Sequence, residues 1–316
     1  MNKTCPENCD VRIEEQHLEG RTSIYKSCSS DCCDLHIHTI ASDGQLTPTE
    51  VLSDALEANL KAISICDHDT ISGYVELSKL YPSLPDGTLL ASGIEVIPGI
   101  EINSEWKNRE IHLIGYFCET KSQEFASLLA SLRETRLQRI KLILDKLKDQ
   151  DIVVEISQVL DKAKGESVGR PHIAEVMVEE GYVESIGEAF NTYIGLGRPA
   201  YVGRFRLTPV ECVKAIRRAN GVPVWAHPGM ANLDCILKDL IENGLQGLEV
   251  YHPEHNQNSM LRYESLALEY GLVITGGSDF HSYNRPYGAL IGSYGVSYES
   301  VRRIRDMAQE NRKKSV

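Results

Sequence analysis

His36 and His38 stand two residues apart in Asp34-Leu35-His36-Ile37-His38, with Asp43 close behind. Near the other end, Asp279 and His281 stand two apart in Gly276-Gly277-Ser278-Asp279-Phe280-His281. Residues two apart in an extended strand point to the same side, so each pair is expected to converge. A short apolar run that ends in such a pair reads as a barrel strand presenting metal ligands at one open face. The chemistry this suggests is metal-assisted hydrolysis.

Further groups of the same kind lie between the two pairs. Asp67-His68-Asp69 follows the apolar run Ala62–Cys66, and Glu101 sits in Pro98-Gly99-Ile100-Glu101-Ile102. His112 opens the run Ile111–Phe117, and His227 sits in Val224-Trp225-Ala226-His227-Pro228-Gly229. Glu249 and His252 lie in Gly247-Leu248-Glu249-Val250-Tyr251-His252. Singly, each has an ordinary explanation: a hydrogen-bonded strand histidine, a His-Pro-Gly turn, an aspartate capping a helix. Together they recur at the C-terminal ends of most expected strands, where α/β barrels place their active sites. Imidazole with carboxylate suits zinc, manganese or iron and needs no thiolate.

The elements that must position these groups are expected as seven apolar strands. They are Cys32–Ile37, Ala62–Cys66, Val96–Ile102, Ile111–Phe117, Val222–Ala226, Leu248–Tyr251 and Leu272–Thr275. Helical patterns cover Thr49–Ala58, Pro209–Ala219 behind the cap Thr208, and Ser259–Tyr270, with Asn or Gly at their exits. Strands alternating with helices imply a parallel α/β arrangement. Between Glu119 and Ala200 the strand signal stops. Phe125, Leu128, Leu129, Leu132, Leu137, Ile140, Ile143, Leu144 and Leu147 recur there at helical spacing, followed by helical stretches at His172–Glu180 and Ser185–Tyr193. The organisation expected is an extension over 1–31, a barrel over 32–118 and 201–316, and a helical insertion domain over 119–200.

The chain has 316 residues, 42% of them apolar, and a formal net charge of −12. That charge disfavours wrapping duplex DNA, while bound cations can still reverse the local field for a small phosphorylated ligand. No apolar run is long enough for a bilayer. The first twenty residues are polar and acidic, without the apolar stretch of a signal peptide, so a cytoplasmic protein is expected. Of nine cysteines, Cys66, Cys118, Cys212 and Cys235 lie in apolar segments and read as small buried hydrophobes. Cys5, Cys9, Cys28, Cys32 and Cys33 crowd the start without the spacing of a zinc knuckle, and a loosely ordered extension is expected there.

The ordered set Asp34–His38 with Asp43-Gly44, Asp67-His68-Asp69-Thr70, Gly99-Ile100-Glu101, His112, Ala226-His227-Pro228 and Gly277-Ser278-Asp279-Phe280-His281 resembles the motif series of the polymerase and histidinol phosphatase (PHP) family. The resemblance runs from about Asp34 to Tyr287. Gly169-Arg170-Pro171-His172, Gly197-Arg198-Pro199-Ala200-Tyr201-Val202 and Gly247–His252 are similar to the branch that includes the nucleoside 3′,5′-bisphosphate phosphatases.

The resemblance implies a distorted (β/α)7 barrel with a helical insertion domain, binding two or three divalent cations (manganese, zinc or iron). His36, His38, Glu101 and Asp279 would hold one. Glu101, His112 and His227 would hold a second, and Asp43, His68 and His281 a third. Asp43, His68, Glu101, His227 and His281 would also carry the catalysis. Arg170, His172, Arg198, Arg204 and His252 are candidates for gripping substrate, the arginines because a planar fork bonds two phosphate oxygens; His255 is a further one.

The expected reaction is hydrolysis of a phosphate ester of a small nucleotide, such as a nucleoside 3′,5′-bisphosphate, by metal-activated hydroxide. The alternatives keep the metal site and change the bond: a cyclic sugar-phosphate phosphodiesterase, or a 5′-3′ exoribonuclease on short RNA. Histidinol phosphatase and amidohydrolase activities are more remote, the latter because Asp279-Phe280-His281 replaces an isolated aspartate. No membrane partner is expected, and the sequence leaves the oligomeric state open.

Overall fold

The structure is a computed structural model that describes residues 31–107, 109–120, 122–203, 207–283 and 289–314. Ten strands form two mixed five-stranded sheets. The first has the order β10-β1-β2-β4-β3, built from β1 (Cys32–Ile37), β2 (Ala62–Ile65), β3 (Leu89–Ala91), β4 (Ile94–Pro98) and β10 (Val296–Ser297). The second runs in sequence order through β5 (Glu101–Trp106), β6 (Arg109–Tyr116), β7 (Val222–Trp225), β8 (Gly247–Tyr251) and β9 (Val273–Gly276). Isolated bridges join the sheets at both seams: Ile37 pairs with Phe280, and His68 with Glu101.

Two features differ from the sequence expectation. Val96–Ile102 is two strands in different sheets, not one. Pro98 has no N–H for the ladder, and a Cβ on residue 99 would lie 2.1 Å from the Ser64 hydroxyl, so only glycine allows this close turn. The sheets are also not wholly parallel. β6 is antiparallel to both β5 and β7, because its link to β5 is too short for a crossover helix.

The helices that follow or connect the strands of the two sheets are α1 (Pro48–Glu57), α2 (Ser72–Ser78), α7 (Pro209–Arg218), α8 (Pro228–Ala231), α9 (Leu237–Glu242), α10 (Gln257–Glu269) and α11 (Tyr298–Lys314). Between β6 and α7 lie α3 (Gln123–Lys148), α4 (Ile156–Lys162), α5 (Arg170–Glu179) and α6 (Ile186–Ala189), then a π-helical turn at Phe190–Ile194. α1 and α7 begin alike. Thr47 and Thr208 each accept a bond from the amide three residues on, and the Glu50 and Glu211 carboxylates accept one from the cap amide. These caps fix where the chain leaves the strand ends.

Burial follows the two-sided pattern of such sheets. Cys33, Leu35, Cys66, Ile97, Ile114, Tyr116, Val224 and Val273 fill the space between the sheets, and α11 closes it with Val301, Ile304 and Ala308. α1 and α2 cover the first sheet through Val51, Leu52, Ala55 and Leu77. α3 serves two cores: Phe125, Leu129 and Leu132 pack with the second sheet, whereas Ile140, Ile143 and Leu147 join α4 and α5. Cys32 and Cys33 are buried in β1; Cys5, Cys9 and Cys28 lie outside the described residues. No helix among the described residues is long and apolar enough to cross a membrane.

Candidate metal centre

The nine residues expected as ligands converge at one end of the two sheets. His36 is the penultimate residue of β1, and His38 follows directly after the strand. Their Nε2 atoms face each other at 3.1 Å. Both point at Glu101 Oε2, at 3.5 and 3.3 Å, and at Asp279 Oδ1, at 3.4 and 3.1 Å. Glu101, the first residue of β5, is the hub. Its Oε1 lies 2.9 Å from His112 Nδ1 and 3.1 Å from His227 Nε2, and its Oε2 lies 2.8 Å from His68 Nδ1. Asp43 gathers the remainder, 3.4 Å from His281 Nε2 and 3.9 Å from both His38 Nδ1 and His68 Nε2.

The second ligand pair is not built as the first is. β9 ends at Gly276, so Asp279 and His281 lie beyond the strand, and Asp279 has φ 47°. This left-handed backbone, with those of Asp69 (φ 53°) and His227 (φ 29°), re-aims side chains that strand alternation alone would misplace. The loop is stitched to β1. Ser278 N–H donates to Asp34 Oδ1 at 3.0 Å and Gly292 N–H to Asp34 Oδ2 at 2.8 Å. A Cβ on residue 277 would lie 2.4 Å from the His36 nitrogen, so glycine is required there. His112 does not open its strand either; it sits inside β6, opposite Asn103, and reaches the cluster from an antiparallel direction.

Carboxylates behind the ligands hold them in place. Asp67 takes bonds from the Thr39 amide, the Thr39 hydroxyl and the Ser42 hydroxyl, each at 2.7 Å, which shapes the turn that carries Asp43. Glu249 lies 2.9 Å from His36 Nδ1 and accepts the His227 N–H at 2.8 Å. Asp69 accepts from Arg136 of α3, whose Nη2 also donates to Asn103 Oδ1 at 2.5 Å. Asn103 Nδ2 in turn meets His112 Nε2. Arg136 and Asn103 escaped sequence reading, because a buried arginine within a leucine-striped helix looks like any solvated one. Glu249 stood out in the sequence, but its spacing gave it no role.

Electrostatics match a cluster awaiting cations. Burial pushes the Glu101 and Asp279 carboxyls up, but the surrounding imidazoles overcome it and hold both well below their ordinary values. Asp43 behaves the same way. Burial lowers His38, yet Asp279 and Glu101 override it and lift the ring to about 9; His36 is raised against burial by Glu249 and Glu101. His68 goes the other way, to about 3, because burial prevails. Asp43 Oδ1, His68 Nδ1, Glu101 Oε2 and His252 Nε2 are buried without a well-directed hydrogen bond, although each faces an ionisable neighbour at 2.8–3.4 Å. Orphaned acceptors facing one another in a dry site fit divalent cations. Four groups, His38–Asp43–His68–His281, His36–His38–Glu101, His68–Glu101–His112 and His227–Glu249–His252, each hold ligand atoms within 4.8 Å of one another. The nitrogen and oxygen donors suit zinc, manganese or iron.

The residues expected to grip substrate are distributed less uniformly. A cavity of about 380 Å³ adjoins His112 and His227, lined by Arg109, Arg170, Phe190, Tyr201, Trp225 and Met230 among others. Arg170 is fixed in its wall. Its guanidinium lies 5.4 Å from the Phe190 ring and 5.8 Å from the Tyr201 ring, and Nη2 donates to Glu110 at 2.9 Å. Arg139 donates to the other Glu110 oxygen at 2.9 Å and lies 5.7 Å from the Tyr201 ring. His172 is buried, and its Nδ1 accepts the Gly169 N–H at 3.0 Å, a helix-start role. Arg198 is exposed in a turn and does not line the cavity, and Arg204 lies outside the described residues. His252 is buried against the metal cluster, its Nε2 3.4 Å from Asp279 Oδ2. His255 bridges the Gly229 amide and the Val250 carbonyl.

Residues 34–196 match the PHP domain. The chain is 32% identical over 253 residues to a 5′-3′ exoribonuclease of Escherichia coli, covering 78% of this chain and 84% of that protein. It is 29% identical over 255 residues to a 3′,5′-nucleoside bisphosphate phosphatase of Chromobacterium violaceum, covering 79% of this chain and 87% of that one. A crystal structure of a metal-dependent phosphoesterase from Bifidobacterium adolescentis superposes with a TM-score of 0.77 at 29% identity, covering 87% of this chain and 96% of that one. The chain belongs to the PHP domain family and is a metal-dependent phosphoesterase.

Proposed function

We propose that this phosphoesterase hydrolyses a phosphate ester of a small nucleotide, with a nucleoside 3′,5′-bisphosphate as the leading substrate. The observation that carries this reading is the cavity beside His112 and His227. Its 380 Å³ falls in the range of small-molecule sites, ~300–1,000 Å³. Its walls combine Phe190, Tyr201 and Trp225, which suit the face of a base, with Arg109 and Arg170, which suit a phosphate. The relative from Chromobacterium violaceum supports it by its name.

In this reading two or three cations, manganese, zinc or iron, would be held by His36, His38, Glu101 and Asp279; by Glu101, His112 and His227; and by Asp43, His68 and His281. When bound they supply an acidified water and neutralise phosphoryl charge. Asp43, His68, Glu101, His227 and His281 would carry the catalysis by holding those cations against the phosphoryl group. Arg170 holds the second phosphate in a fixed direction, because its stacking and its bond to Glu110 leave it few rotamers. A phosphorylated side chain trapped during turnover would count against direct attack by water.

The isolated Ile37–Phe280 and His68–Glu101 bridges between the two sheets, with β4 and β5 counted as one of seven strand positions, support the reading of a distorted (β/α)7 barrel. The separate packing of α4 and α5 on the distal half of α3 supports an insertion domain over 119–200.

A second reading, removal of nucleotides from an end of short RNA, is favoured by the Escherichia coli relative, and the same cavity would take the terminal nucleoside. The deciding assay offers the metal-loaded protein adenosine 3′,5′-bisphosphate, a cyclic ribose phosphate and a short RNA. Fastest turnover of the bisphosphate is expected. Release of no product from any of them, with metal bound, would sink the proposal.

A further inference from the structure

We infer that Glu249 is a positioning residue that sets two metal ligands at once, His36 through its ring and His227 through its backbone. This rests on the proposed cation sites. Glu249 lies in β8, between β7 and β9, and is wholly buried. Its two oxygens are committed in different directions. Oε1 lies 2.9 Å from His36 Nδ1, and Oε2 accepts the His227 N–H at 2.8 Å.

The first contact fixes a tautomer. With the proton of His36 held on Nδ1 by a carboxylate, the Nε2 lone pair is the one left facing His38, Glu101 and Asp279. A carboxylate behind a ligating imidazole both orients the ring and raises its basicity. The second contact fixes a strained backbone. His227 has φ 29°, a left-handed conformation that strains any residue but glycine. A hydrogen bond from its own amide to a buried charge holds that turn and keeps His227 Nε2 3.1 Å from Glu101. One side chain therefore spans ligands assigned to two different cations.

Glu249 also lies within 4.8 Å of ligand atoms of His227 and His252, so it could be taken for a ligand itself. Against that, both its oxygens already serve protons of ligand residues. His252 Nδ1 is likewise occupied, accepting the Glu254 N–H at 3.1 Å.

The test is a titration of the metal-stripped protein with Mn²⁺ or Zn²⁺, followed by calorimetry, in wild type, Glu249→Gln and Glu249→Ala. In the Gln variant the amide oxygen can still accept the His227 N–H. Its NH₂ then meets His36 Nδ1 and drives the His36 proton to Nε2. One class of cation should weaken by roughly 10–100-fold, the usual effect of removing such a partner. In the Ala variant two classes should weaken.

The melting temperature of each metal-stripped variant separates positioning from folding. Positioning predicts a metal-bound value that falls further than the metal-free one, and so a smaller rise on adding metal. Wild-type metal affinities in Glu249→Gln would overturn the inference. A metal-free melting temperature that falls enough to account for the whole loss would do so as well. If Glu249→Ala fails to fold, the Gln variant alone decides. A wild-type chain that takes up no divalent cation would sink the metal reading itself, a distinguishable result.

Discussion

Two charged clusters meet at His112, and they are neutralised in opposite ways. On the sheet side, Asp43, Glu101, Glu249 and Asp279 are paired with imidazoles; among the described residues, no lysine or arginine pairs with any of them. On the helical side, Glu110 lies between Arg139 and Arg170, and Asp69 is held by Arg136. Arginine carries its charge at every accessible pH, so the second cluster is self-sufficient. Imidazoles carry theirs only when protonated, so the first is complete only with protons or cations. The difference divides the labour: a part that must be loaded, beside a part that is already rigid.

The sharpest way to break this contrast is to remove the hub. Glu101→Gln keeps the shape of the side chain but discharges an atom pair that touches five imidazoles. A loss of several kcal/mol of transition-state stabilisation, roughly 10³-fold in kcat, is expected, and chelation of the wild type should match it. Turnover of the variant within tenfold of wild type would show that the cluster does not work through its metals.

Arg136→Met tests the other half. It removes the guanidinium that pairs with the buried Asp69, and breaking a buried ion pair typically costs about 3–5 kcal/mol of stability. Denaturant melts of the metal-stripped protein should show that loss in full. If they show none, the helical side is not self-sufficient. Arg136→Lys should recover part of it, since a point charge cannot serve Asp69, Asn103 and Val168 with one planar fork.

Which parts of this site could be read from sequence follows from the same contrast. His36 and His38 are legible because strand periodicity alone brings them together, with the β1 chain doing the positioning. Asp279 and His281 were legible as residue types but not as geometry. Their convergence depends on a left-handed backbone at Asp279 and on Asp34 stitching a loop to β1, both properties of the folded chain. The split at Pro98-Gly99 was written in the sequence as a helix-free Pro-Gly step, yet an unbroken apolar run masked it. Arg136 carries no local signal and Glu249 no local sign of its role, since their partners lie 33 and 67, or 22 and 213, residues away. The amphipathic α11 and the edge strands β3 and β10 were missed for a simpler reason: they are polar or very short.

Acidity separates the two clusters without mutation. His36, His38 and His227 have folded pKa values raised above 6.5, His38 to about 9. Their stabilisation of the metal-free protein is full below pH 6.5 and is lost as pH rises through the raised values. Asp43, Glu101 and Asp279 are held below ordinary values of 3.8 and 4.5, so their contribution is present above those values and lost as pH falls through the lowered ones. His68, held neutral by burial, opposes the other rings below pH 6.5. The metal-free melting temperature should therefore fall between pH 6 and pH 9. With metal bound it should hold or rise, because cations displace those protons. Parallel curves with and without metal would mean that the cluster is not where the ions bind.

The smallest effect expected is also the one that assigns the arginine wall a job. If Arg170 grips the second phosphate of a bisphosphate, Arg170→Ala should raise KM for adenosine 3′,5′-bisphosphate by the value of a charged hydrogen bond, about 1.5–3 kcal/mol. That corresponds to roughly 10–100-fold. KM for a simple aryl phosphate, which has no second phosphate, should move far less, and kcat should stay close to wild type for both. Arg170→Lys should restore only part of the difference, because an ammonium neither lies flat between Phe190 and Tyr201 nor bonds two oxygens at once. Equal effects on both substrates would mean that Arg170 merely braces Glu110 and the cavity wall. The helical side would then be scaffold, and substrate selection would have to come from the metal-bearing side alone.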